Sequence, residues 1–177
     1  MKRAKVLATA RLAGQVTRYH TWPVHHRQTV GEHTWQVMRI YYQIFGPPSA
    51  LVFTKLIWDD AGELVTGDLP FPIKARNPGL KAIMDSLEEQ AVEGMGGNPR
   101  PGVSDVEKRR VKTCDLIDML EYGLHELDLG NKYAQPIVDD IGNSLRQLWK
   151  WDADASNGDL IKITGYLLEH VENWSWK

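Results

Sequence analysis

Cysteine is almost absent from this chain, which holds only Cys114. A single thiol excludes a disulfide framework and a cysteine-based zinc site, and it suits a reducing cytoplasm. An excess of one charge is lacking too. The formal net charge is -2 over 177 residues, so no global basic field argues for duplex nucleic acid as a partner. No apolar stretch approaches the ~20 residues of a membrane span, which excludes a membrane partner. The basic start Met1-Lys2-Arg3 leads into an apolar run that Arg11 breaks, too short for a secretory signal. Alternating apolar and polar runs long enough to build a sheet are missing, as are repeats and low-complexity tracts.

What is present belongs to an ordinary globular chain. Apolar residues make up 42% and charged residues 25%, and the length fits one domain over 1–177 with a real core. The pattern predicts helices joined by loops, hence an all-α fold, a helical bundle. Helices are expected over residues 4–14, 31–45, 50–63, 79–94, 104–127, 131–149 and 159–173. Val37, Ile40, Tyr41 and Ile44 share one face of the second helix, as a core-facing stripe requires. Gly46-Pro47-Pro48 ends it. Ser104-Asp105-Val106-Glu107 has the spacing of a capping box and opens the longest helix. Trp149, Trp151, Trp174 and Trp176 gather near the C-terminus, and are expected to mix core packing with a subunit interface.

The segment Asp59-Asp60-Ala61-Gly62-Glu63-Leu64-Val65-Thr66-Gly67-Asp68-Leu69-Pro70 concentrates four carboxylates. On a helix running to Glu63, Asp59 and Asp60 share a face with Glu63. Like charges on one face need compensation, and a divalent cation with a preference for oxygen ligands supplies it. A solvated acidic helix end is the alternative. His33, at a predicted helix start, and Asp115, in an apolar stretch of the long helix, are further candidate ligands. Alone, each is more often structural, although an aspartate is rarely buried unpaired. A helical bundle can bring such side chains together in its core.

With these residues in order, the chain resembles the HD-domain phosphohydrolases. Val30-Gly31-Glu32-His33 resembles their first-ligand motif. Residues 60–70 resemble the D-A-[SG]-E-x-x-T-G-D-[LI]-P run of the bacterial 5'-deoxynucleotidase branch. Arg18, fifteen residues before His33, also matches. Arg18-Tyr19-His20-Thr21 and Arg27-Gln28-Thr29-Val30 look most similar to phage dATP triphosphohydrolases of the DatZ type. The resemblance covers about residues 10–125.

It implies a divalent metal (Co, Mn, Zn or Mg) held by His33, Asp59, Asp60 and Asp115. It implies catalytic roles for Glu63, beside the attacking water, and Asp68. It places Arg18, Lys74 and Lys112 on the phosphates. Tyr19, Trp22 and Pro72 are candidates for packing on the base. The simpler alternatives are a helix-surface Glu63, an Asx turn at Asp68, surface lysines and a core Trp22. The implied activity is hydrolysis of dATP to deoxyadenosine and triphosphate, in phage synthesis of 2-aminoadenine DNA. A deoxynucleoside 5'-monophosphatase is the alternative, and a homo-oligomer, dimer or hexamer, is implied.

One position departs from the pattern. Asp59 stands where the family has the histidine of its His-Asp pair. A carboxylate there suits harder metals. It also opens another reading, in which the protein binds nucleotide without turning it over.

Overall fold

The computed structural model describes residues 9–69, 76–150 and 157–171. Pro72, Lys74, Trp151, Trp174 and Trp176, and the side chain of Trp149, lie outside the described residues. Among the described residues the fold is all-α. After a helical stretch over 9–13 come α1 (Val30–Phe45), α2 (Ala50–Trp58), α3 (Glu63–Thr66), α4 (Pro78–Gly94) and α5 (Asp105–Asp128). A 3-10 turn (Lys132–Ala134) precedes α6 (Gln135–Lys150) and α7 (Asn157–His170). No helix of the described residues is long and apolar enough to cross a membrane.

Two compact units divide the chain. One comprises Met1–Trp35 with Ala50–Val103, the other Gln36–Ser49 with Ser104–Lys177. In the first, Ala13, Ala61, Val92 and Met95 form a small core, against which Trp58 and Leu64 pack. Its side chains are small because its elements approach closely. A Cβ added to Gly62 would lie 2.5 Å from the Cβ of Glu88 and 2.6 Å from its Cα, so only glycine lets the turn before α3 touch α4.

This contact corrects one expectation. The helix predicted over 50–63 stops at Trp58, and a turn follows. Glu63, Leu64 and Val65 donate their backbone N–H groups to the carbonyls of Asp60, Ala61 and Gly62, three residues back rather than four. Asp59 and Glu63 therefore do not share the face of one continuous helix.

In the second unit the expected stripe holds. Val37, Ile40, Tyr41 and Ile44 are all buried. The capping box at the start of α5 is formed in both directions: the Ser104 backbone N–H donates to Glu107 Oε2 at 2.8 Å, and the Glu107 N–H donates to Ser104 Oγ at 3.3 Å. α5 then packs along α6, where a Cβ on Gly123 would meet Val138 at 2.7 Å. Two partly buried ion pairs tie its helices together. Arg110 grips Asp159 through both carboxylate oxygens, at 2.7 and 2.9 Å. Arg39 and the hydroxyl of Tyr166 both donate to Glu121, each at 2.7 Å. Burial, followed by the Glu121 carboxylate, pushes the Tyr166 phenol well above its ordinary range.

Candidate functional site

The site in the first unit starts where the chain before α1 pairs with its own continuation. Thr17 and Thr29 form an isolated antiparallel bridge. Arg18 donates its N–H to the carbonyl of Gln28 at 2.9 Å, and Val30 donates to Val16 at 2.9 Å. Thr29 then caps α1: its N–H donates to Glu32 Oε2 at 2.7 Å, and the Glu32 N–H donates to Thr29 Oγ1 at 3.2 Å. This is a second reciprocal capping box. Thr29-Val30-Gly31-Glu32 has the spacing of that box, a local signal for the start of α1 that stands in the sequence at the end of a loop.

The box fixes the first turn of α1 and with it His33, which is 3% exposed. His33 Nε2 lies 3.2 Å from Asp60 Oδ2. Two donors each about 2.1 Å from one ion in tetrahedral geometry stand about 3.4 Å apart, so this nitrogen and oxygen are spaced as ligands of a shared ion. The pair also fits a direct hydrogen bond. Among the described residues, no group of three or more His, Cys, Asp or Glu side chains is arranged to hold a metal.

Asp59, the immediate neighbour of Asp60, has other company. Its Oδ1 meets Lys55 Nζ at 2.6 Å, four residues back on α2, and its side chain is 45% exposed. Glu63 is buried at the start of α3. Asp68 lies just beyond α3, and its Oδ2 accepts the backbone N–H of Tyr19 at 3.2 Å. Tyr19 adopts φ +55°, unusual for a residue with a side chain.

Arg18 is buried, donates from Nη1 to Gln28 Oε1 at 3.0 Å and lies 5.4 Å from the Tyr19 ring centroid. Trp22 is partly exposed, and its N–H donates to the Tyr19 carbonyl at 3.0 Å. His20, His25 and His26 are exposed.

Asp115 and Lys112 belong to α5 in the second unit, and the expected shared face is real: they form an ion pair one turn apart. Asp115 is half-buried and its negative charge is matched, which answers the question raised by an aspartate in an apolar stretch. Beside it, Cys114 is fully buried, and burial first and the Asp115 carboxylate second push its thiol well above the usual value.

Two contacts thus link site residues that are distant in sequence: His33 with Asp60, and the Arg18-Tyr19 step with Asp68. Gln28, in contact with Arg18, belongs to the Arg27-Gln28-Thr29-Val30 segment that carries the resemblance, but no role is assigned to it from sequence. A glutamine in a loop carries no local signal, and only the pairing of 17 with 29 reveals its place.

The family described as 5'-deoxynucleotidase YfbR-like matches residues 7–98, just over half of the chain, a span containing every site residue of the first unit. A solved structure described as cyanophage S-2L HD phosphohydrolase (DatZ), bound to dA and one catalytic zinc ion, aligns with a TM-score of 0.64. The alignment covers 89% of this chain and 91% of that one at 16% identity, a likeness of fold. A comparison with curated protein sequences finds no match.

Proposed function

This chain belongs to the YfbR-like 5'-deoxynucleotidase family, and on that premise we propose that it hydrolyses dATP to deoxyadenosine and triphosphate. Membership of the family makes the chain a metal-dependent HD phosphohydrolase of deoxynucleotides. The observation that carries the reading is the 3.2 Å approach of His33 to Asp60, at the head of the acidic segment.

In this reading His33 and Asp60 hold the divalent ion, with Asp59 and Asp115 as further ligands. A divalent ion held by these residues would polarise a phosphoryl oxygen and stabilise charge in the transition state. Glu63, buried at the start of α3, orients and deprotonates the attacking water. Asp68, held by the Tyr19 amide, protonates the leaving 5'-oxygen or fixes the water. Arg18, Lys74 and Lys112 meet the phosphates. A triphosphate carries about four negative charges and needs several cations to converge on it. Tyr19, Trp22 and Pro72 wall the base. The whole chain, 1–177, acts as one domain in a cytoplasmic homo-oligomer, a dimer or hexamer. Its biological sense is depletion of dATP where a phage builds 2-aminoadenine into DNA.

Two observations favour rival readings. The matched family is described as 5'-deoxynucleotidases, which favours monophosphates as substrates. Asp59 is engaged with Lys55, which favours a protein that binds nucleotide without turnover.

One panel separates the three. Deoxynucleoside mono- and triphosphates are incubated with Mg, Mn, Co or Zn, and the phosphorus products are identified. Triphosphate released from dATP is the expected result. Orthophosphate from monophosphates moves the protein to the monophosphatases. Silence throughout, followed by activity in Asp59→His, assigns the lost turnover to that carboxylate.

A further inference from the structure

We infer that Gln28 is a positioning residue that fixes the Arg18 guanidinium for the phosphate chain of the substrate. The inference rests on the deoxynucleotide reading above, because only there does Arg18 have a phosphate to meet.

Gln28 lies ten residues beyond Arg18, across the loop closed by the Thr17–Thr29 bridge, and holds it twice. Its carbonyl accepts the Arg18 backbone N–H at 2.9 Å, and its Oε1 accepts Nη1 at 3.0 Å. Both residues are buried, at 7% and 5% exposure. The first bond sets the register of the two bridged segments, and the second aims the side chain. The Tyr19 ring supports the same guanidinium from another direction, at 5.4 Å. An arginine already fixed in place loses little further freedom when an anion arrives.

The neutrality of the partner is the informative part. A carboxylate at position 28 would fix the guanidinium equally well and would neutralise it. An amide oxygen holds one donor without bringing a negative charge of its own. The next residue, Tyr19, donates its amide to Asp68 at 3.2 Å. The Arg18-Tyr19 step therefore carries its charge beside the carboxylate that the reading places at the leaving oxygen.

Calorimetry with two probes, inorganic triphosphate and deoxyadenosine, tests this. Gln28→Leu is expected to weaken triphosphate binding roughly five- to tenfold, the worth of one buried hydrogen bond, and to leave deoxyadenosine binding unchanged. Gln28→Glu keeps the size and the hydrogen bond, and is expected to weaken triphosphate binding at least as much by adding a negative charge beside Arg18 and the incoming phosphates. In an Arg18→Ala background, Gln28→Leu is expected to cause no further loss of triphosphate affinity.

The inference is overturned if Gln28→Leu binds triphosphate like the wild type, if both probes weaken together, or if the loss persists without Arg18. Should Gln28→Leu fail to fold, Gln28→Glu decides alone, and triphosphate binding like the wild type overturns the inference. A wild type that binds neither probe overturns the deoxynucleotide reading and this inference with it. A wild type that loses triphosphate through Arg18→Ala and keeps it through Gln28→Leu overturns the inference alone.

Discussion

Asp59 and Asp60 are neighbours in the chain and opposites in their surroundings. Asp59 faces solvent and is met by Lys55, one helical turn earlier. Asp60 is met by His33, a buried imidazole on another helix. The first pairing needs nothing but a helix, since residues four apart are neighbours on any helix surface. The second exists only because the fold delivers α1 to the end of α2. A local, exposed ion pair contributes little, because water and salt screen it and two flexible side chains must be held. A carboxylate brought to a buried imidazole from a distant segment is the arrangement that chemistry requires and that stability alone does not explain.

The largest expected effect comes from Asp60 itself. Asp60→Asn should abolish turnover, a loss beyond the roughly 10²–10⁴-fold that a single general acid or base contributes. Asp59→Asn should lose less, measured in the same assay of released triphosphate. Equal losses would erase the distinction between the neighbours. Next comes Glu63→Gln, which should lower kcat by roughly 10²–10⁴-fold and leave metal binding in place, as read by titration of the ion.

The turn that carries the two aspartates is the third target. Gly62→Ala forces a methyl group to within 2.5 Å of Glu88, and should destabilise the protein by about 1–3 kcal/mol in denaturant unfolding. It should also lower turnover, since the turn positions Asp60 and Glu63.

A second local arrangement calibrates the exposed side of the comparison. Ser104→Ala removes the hydroxyl of the α5 cap, and should destabilise by about 1 kcal/mol. Glu107 adds a pH signature. The Ser104 backbone N–H first, and its hydroxyl second, hold the Glu107 carboxyl below its ordinary value. A folded pKa below the unfolded one means that this stabilisation is complete above the ordinary carboxylate range. It fades as the pH falls through that range to the lower folded value. In Ser104→Ala this acid-limb contribution should shrink, which unfolding midpoints at several pH values would reveal. The smallest effect belongs to Lys55→Met, about 0.3–0.5 kcal/mol in 0.1 M salt and less in 1 M. A larger change would show that the Lys55–Asp59 pair is more than a surface contact.

Local rules carried the sequence reading where structure is local. The buried stripe Val37, Ile40, Tyr41 and Ile44 follows from helical periodicity, and the start of α5 follows from the Ser104–Glu107 spacing. The ion pair of Lys112 with Asp115 follows from three-residue spacing. Periodicity failed at the end of α2. Helical spacing continues past Trp58, from Ile57 to Ala61, and nothing local announces that Gly62 must touch Glu88. The same limit applies to the site. Spacing assigned Asp59 to Glu63, although Lys55 was available at the same separation on the other side. The contacts of His33 with Asp60 and of Tyr19 with Asp68 join segments far apart in sequence. No periodicity encodes such contacts, and only the resemblance of the ordered motifs pointed to them.

Titration of the wild type and of Asp60→Asn with Mn or Zn, followed by calorimetry, tests the central claim most directly. The account predicts one divalent ion per wild-type chain and none, at the same concentrations, for Asp60→Asn, with both proteins folded. Equal binding by the two, or no binding by the wild type, would contradict it.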